Sequence, residues 1–206
     1  MNSFVKTARL ALLAVFLAAP AAPARSATIK GTITVGGRPA RDVVVSVEGV
    51  ASEKIAASLA GVKPGKAVMD QRNMKFIPRV LPVLVGTAVD FPNNDNTFHN
   101  VYSRGGAKDF DLGLYPPGKT RGTTFEKPGI ARILCNAHPN MEGFVVVKPH
   151  PYFSAVDERG LFRIEGVPVG KARLEVWHPD LGVRSETIEV RRSSDVITRD
   201  IDLKKP

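Results

Sequence analysis

The stretch Ile133–Val147, ILCNAHPNMEGFVVV, places a thiol, an imidazole and a thioether within seven residues and frames them with apolar runs. Cys135, His138 and Met141 form the pattern C-x2-H-x2-M. Thiolate and thioether sulfur combined with imidazole nitrogen suit copper better than calcium, magnesium or any metal that prefers an all-oxygen shell. Three ligands leave such a site incomplete, so a second histidine must come from elsewhere in the fold. His99, in FPNNDNTFHNVYS, is the best placed of the four histidines, because apolar Phe98 before it and Val101 after it would bury part of its loop. Two histidines, one cysteine thiolate and a weak axial methionine make the trigonal centre of blue-copper electron transfer.

Each of these residues also has a plainer reading. A free cysteine is most often a small buried hydrophobe, a histidine in a polar loop is usually solvated, and a methionine ahead of Phe144 suits ordinary core packing. The short fixed spacing argues against the plain reading for Cys135. Met141 is the most replaceable of the four, since an axial ligand tunes the potential, whereas the thiolate is indispensable.

From about Met69 to Val147 the chain resembles the cupredoxins, and its very short ligand loop resembles that of amicyanin more than the longer loops of plastocyanin or azurin. The resemblance implies one type 1 copper, with His99 as upstream ligand and Cys135, His138 and Met141 as the downstream set. Asn100 stands where cupredoxins often carry an asparagine that ties the two ligand loops together and hydrogen-bonds towards the thiolate. His138, beside Pro139 and near Phe98, would then be the electron port. The amicyanin-like loop further implies a redox partner such as a c-type cytochrome or an amine dehydrogenase.

The first residues read as a targeting segment. Lys6 and Arg9 supply a charged start, LALLAVFLAAPAA an apolar stretch too short and proline-broken for a membrane span, and APARSA the small residues of a cleavage site, after Ala24 or after Ser26. Residues 1–26 are therefore expected to be a signal peptide and the mature chain to be periplasmic or secreted, with no membrane span. Export gives the single cysteine meaning, because one thiol can form no internal disulfide and a lone thiol in an oxidising compartment calls for a role such as metal ligation.

The formal charge of +9 falls to +7 once Lys6 and Arg9 are removed. The basic residues are dispersed and form no nucleic-acid motif, so a solvated surface or an acidic partner explains them better than nucleic acid.

The remaining pattern is all-β. ATIKGTITVGGRPARDVVVSVEGV reads as two strands around a GGRP turn, and ASEKIAASLAGVKPGKAVM as one short helix ended by Gly61 and Pro64. Strand runs then continue to the C-terminus, with Pro78 and Pro82 keeping theirs at a sheet edge. DERGLFRIEGVPVGKARLEVWHP and GTITVGGRPARDVVVSVEG resemble the two halves of the carboxypeptidase regulatory-like sandwich. The expected organisation is a cupredoxin-like Greek-key β-sandwich, residues 69–148, inserted in or adjacent to a second small β-sandwich. That second unit would be built from residues 27–50 and 149–206, with 51–68 as linker. Insertion predicts that Thr32 and Val176 share one sheet.

No zinc-peptidase motif and no G-x-S-x-G occurs, and four histidines are too few for a multicopper or nitrite-reducing centre, so the chain is expected not to be an enzyme. His150 and His178 read as structural or surface residues. The competing reading is a copper carrier or envelope interaction module whose metal does not cycle.

Overall fold

Short β-branched runs punctuated by glycine and proline make strands of most of the described residues. The computed structural model describes residues 27–204, so the expected signal peptide lies outside the described residues. The described residues begin with β1 (Ala27–Val35), β2 (Arg38–Pro39) and β3 (Val44–Glu48), followed by helix α1 (Ser52–Leu59). Its middle supplies β4 (Lys66–Val68), β5 (Asp70–Arg72), β6 (Lys75–Ile77), β7 (Val80–Leu84), β8 (Thr87–Pro92), β9 (His99–Ser103), β10 (Phe110–Tyr115), β11 (Thr120–Phe125), β12 (Gly129–Leu134) and β13 (Glu142–Lys148). The last third gives β14 (Phe153–Ala155), β15 (Leu161–Val167), β16 (Gly170–His178), β17 (Gly182–Val190), β18 (Val196–Thr198) and β19 (Ile201–Leu203).

Strands from the two ends of the chain pair with each other. β1 runs antiparallel to β15 and parallel to β18 and β19, while β3 lies between β14 and β16, with β17 at the edge. Their inward faces share one core that includes Ile29, Ile33, Val45, Phe162, Leu174 and Val176. Thr32 pairs with Leu161 and Val176 pairs with Val45, so these residues lie in different sheets and the expectation of a common sheet is corrected. The physical reason is that the apolar faces of β1 and β16 both need cover, and both are buried in the one core.

The middle strands form one sheet in the order β10-β9-β12-β13-β7 and another in the order β11-β8-β4, with β5 and β6 as a separate hairpin. A second core, including Met69, Phe91, Val101, Tyr115, Phe125 and Val145, fills this unit. Pro82 sits in the edge strand β7, where a missing N–H costs no ladder bond. β4 lies in the stretch expected to be linker, yet it pairs parallel with β8 as soon as Pro64 and Gly65 turn the chain. Helix α1 buries no residue, although Ile55 rests partly on the outer core.

The run Val145–Val147 breaks the polar alternation of a surface strand because β13 is covered on both faces. Val145 and Val147 enter the middle core, whereas Val146 packs with Val44 and Val80, against Phe144 and Trp177, in a seam between the two units. Below this seam Glu48 accepts hydrogen bonds from Lys148 Nζ at 2.7 Å, His150 Nε2 at 3.1 Å and Ser46 Oγ at 2.7 Å. The His150 bond, ahead of Lys148 and Ser46, holds the Glu48 carboxyl well below the usual glutamate range against the opposing effect of burial. His150 is a buried structural residue.

Candidate metal centre

Two loops on adjacent strands build the site. The first, ahead of β9, is organised by Asn93, which is fully buried. Its Nδ2 donates to the carbonyls of Thr97 at 2.9 Å and Tyr115 at 3.2 Å, and its Oδ1 accepts from the Asp95 amide at 3.1 Å. This arrangement brings the Asp95 carboxylate to three donors: Oδ2 accepts from the Met74 amide at 2.7 Å and His99 Nε2 at 3.0 Å, and Oδ1 from the Asn96 amide at 2.9 Å. The Met74 N–H, with the His99 bond behind it, holds Asp95 down to about 2 although burial pushes the other way. An ionised carboxylate on Nε2 keeps the His99 proton there and leaves the Nδ1 lone pair free.

The second loop joins β12 to β13. Leu134 and Glu142 form the last rung of their ladder, and the seven residues between them turn back with the Met141 amide donating to the His138 carbonyl at 2.9 Å. Asn136 N donates to Asn100 Oδ1 at 3.4 Å, which links the two loops. Asn100 Nδ2 donates to Asp111 Oδ1 at 2.7 Å.

Three donor atoms converge between the loops. Cys135 Sγ lies 3.8 Å from His99 Nδ1 and 3.7 Å from His138 Nδ1, and the two Nδ1 atoms are 3.0 Å apart. Among the described residues, this is the group of histidine, cysteine and carboxylate side chains close enough to hold a metal ion. A triangle with these sides has its centre about 2.0 Å from each corner, a normal metal–imidazole bond and slightly short for metal–thiolate. The residues present therefore fit a small first-row ion with little movement, and the mixture of one sulfur and two nitrogens fits copper. His99 is fully buried, Cys135 nearly so, and His138 is half-buried.

No protein-family model matches the chain. Over 78 residues it is 32% identical to amicyanin-alpha of Methylorubrum extorquens, a match that covers 36% of this chain and 66% of that protein. The homology supports a cupredoxin domain. The chain spans just under two thirds of that relative's length. Similar solved structures include a purple cupredoxin from Nitrosopumilus maritimus, 26% identical over 40% of this chain and 99% of that one, with a TM-score of 0.37. A reduced amicyanin variant is 31% identical over 44% of this chain and 90% of that one, with a TM-score of 0.38.

Within the middle unit, the structure brings together His99, Cys135 and His138 and buries Met141 in the core that holds Cys135. Pro139 is exposed beside the half-buried His138. Phe98 is corrected: it is 51% exposed and does not bury its loop. The loop is closed from beneath by Asn93 instead, which lets the ring beside His99 face solvent. Asp95 and Asn93 are the residues that sequence reading missed. The signal for Asp95 is its place four residues ahead of the histidine, and only the folded loop shows that the two side chains meet.

Proposed function

We propose that this protein is an exported type 1 copper protein that carries single electrons between redox partners, with His99, Cys135 and His138 as equatorial ligands and Met141 as the axial one. The observation that carries the reading is the convergence of Cys135 Sγ with two imidazole Nδ1 atoms at spacings that fit a copper-sized ion. Copper so held supplies one-electron oxidation and reduction. The chain's own residues supply the rest. Asp95 fixes the His99 tautomer, the core around Cys135 and Met141 excludes water, and Asn100 holds the two loops at constant separation. A donor set fixed by the fold changes little on electron transfer, which keeps reorganisation small.

His138, the half-buried ligand beside exposed Pro139, is the electron port, and exposed Phe98 next to His99 offers apolar contact surface for a transient partner. A c-type cytochrome or an amine dehydrogenase fits this role. The protein is read as a carrier and not as an enzyme, acting in the periplasm. Among the described residues no helix is long and apolar enough to cross a membrane.

The test is a visible absorption spectrum of the mature protein after addition of Cu(II), then ascorbate, then reoxidation. An intense thiolate-to-copper band that bleaches and returns is expected. Copper uptake without that band would replace this reading with a non-redox copper carrier.

A further inference from the structure

The ligand loop is anchored at its neck by a network that reaches outside the cupredoxin domain. Glu142 follows Met141 and closes the loop against Leu134. Its carboxylate accepts from Arg132 Nε at 2.5 Å on the neighbouring strand and from Arg79 Nη2 at 3.2 Å. Arg79 also takes a backbone hold on the same strand, its carbonyl accepting from the Phe144 amide at 2.7 Å, and its guanidinium lies 5.6 Å from the Phe144 ring centre. Gly143, between these two anchored residues, has no room for a side chain: a Cβ there would meet Phe76 Cβ at 2.9 Å and the Arg79 carbonyl at 3.2 Å.

The same guanidinium turns its other edge to the outer sandwich. It grips both oxygens of Asp180, at 3.0 and 3.2 Å, and lies 3.5 Å from Asp42 Oδ2. Asp180 follows β16 and Asp42 precedes β3, so both belong to the strands built from the two ends of the chain. Phe144 continues the contact by packing edge-on against Trp177 of β16, with ring centres 5.6 Å apart. Isolated surface ion pairs contribute little, but a bidentate arginine shared among three carboxylates, of which Glu142 and Asp42 are partly covered and Asp180 is exposed, is a network with a geometry that single pairs lack.

We propose that Arg79 is a positioning residue through which the outer sandwich holds the neck of the ligand loop, and with it Met141, in place. The accessory unit thereby tunes the centre without contributing a ligand. The inference rests on the copper reading above, because it assigns Met141 to the axial position. Arg79 exerts its effect through Glu142 and the β13 backbone.

The experiment uses the full mature chain, with Asp42→Asn combined with Asp180→Asn, which alters only the outer sandwich, and with Arg79→Gln and Arg79→Lys. In metal-free protein, amide hydrogen exchange at residues 142–144 is expected to quicken several-fold in the double variant and in Arg79→Gln, with partial recovery in Arg79→Lys. In copper-loaded protein, the same variants are expected to keep one copper and shift the thiolate-to-copper bands. Emission of Trp177, the single tryptophan, reports the state of the seam. Unchanged exchange and unchanged bands overturn the proposal, whatever the emission does. A wild-type chain that binds copper without the band overturns the copper reading instead, and the metal-free exchange still decides whether Arg79 holds the neck.

Discussion

His99 and His138 meet Nδ1 to Nδ1 at 3.0 Å. Two imidazole lone pairs repel at that distance unless a proton or a cation lies between them. With the His99 proton committed to Asp95, the pair presents a ready electrostatic trap for a positive ion, and Cys135 completes it.

The lock on His99 is therefore a source of affinity. Asp95→Ala removes the acceptor that fixes the tautomer and frees the ring to rotate. Carboxylate partners of ligating histidines are typically worth tenfold to a hundredfold in metal affinity, and a loss in the range of about 10- to 100-fold is expected here. Competition with a chelator of known affinity measures it, and an unchanged affinity would show that loop packing alone orients His99.

Cys135→Ser tests the thiolate directly. The residue is buried and close in size to serine, so the sandwich is expected to persist, with a stability loss of about 1–3 kcal/mol from leaving a hydroxyl among apolar neighbours. The visible band should vanish. Loss of the circular dichroism of the folded sheets would argue that Cys135 serves chiefly as core.

These side chains differ in how far the sequence exposes them. Cys135, His138 and Met141 are legible because one tight loop holds all three, so their spacing along the chain is also their spacing in the fold. His99 is less legible, and its reason for burial was misread: Phe98 points to solvent, and Asn93 closes the loop through bonds to Thr97 and Tyr115 that no local pattern announces. Asp95 becomes meaningful only when Met74, from a hairpin tip some twenty residues earlier, arrives to share its carboxylate. Alternation located the strands of the outer sandwich well. It could not say which sheet each joins, because the apolar faces of β1 and β16 carry the same pattern and are satisfied by covering one another.

Close backbone approach gives the outer sandwich its most sensitive position. A Cβ on Gly31 would lie 1.7 Å from the Arg199 carbonyl oxygen, where the turn between β18 and β19 crosses β1. Backbone must move to admit it, so Gly31→Ala is expected to cost about 3 kcal/mol, the upper end of ordinary overpacking. Urea denaturation followed by Trp177 fluorescence would show the midpoint fall, and a midpoint equal to that of the unaltered protein would mean that the crossing is loose.

Glu48 confers a pH dependence on the junction of the two units. Its folded-state pKa lies below the unfolded value near 4.5, with the His150 hydrogen bond as the largest cause. The associated stability is fully present above that unfolded value and is lost progressively as the pH falls below it. Acid unfolding curves between about pH 5 and 2 should be shallower for Glu48→Gln than for the unaltered chain. Parallel curves would place the acid sensitivity in other carboxylates.

On the proposed copper reading, Met141 is the residue whose replacement should change the tuning of the centre and little else. Leucine matches methionine in volume, and a swap of this kind in a closed core usually costs less than about 1.5 kcal/mol, so Met141→Leu should fold and retain copper. An axial thioether donates more to Cu(II) than to Cu(I), so its removal destabilises the oxidised state and the potential should rise. Voltammetry of the two proteins gives the comparison. A potential that does not move would remove Met141 from the coordination sphere and leave it as a core residue beneath a three-ligand centre.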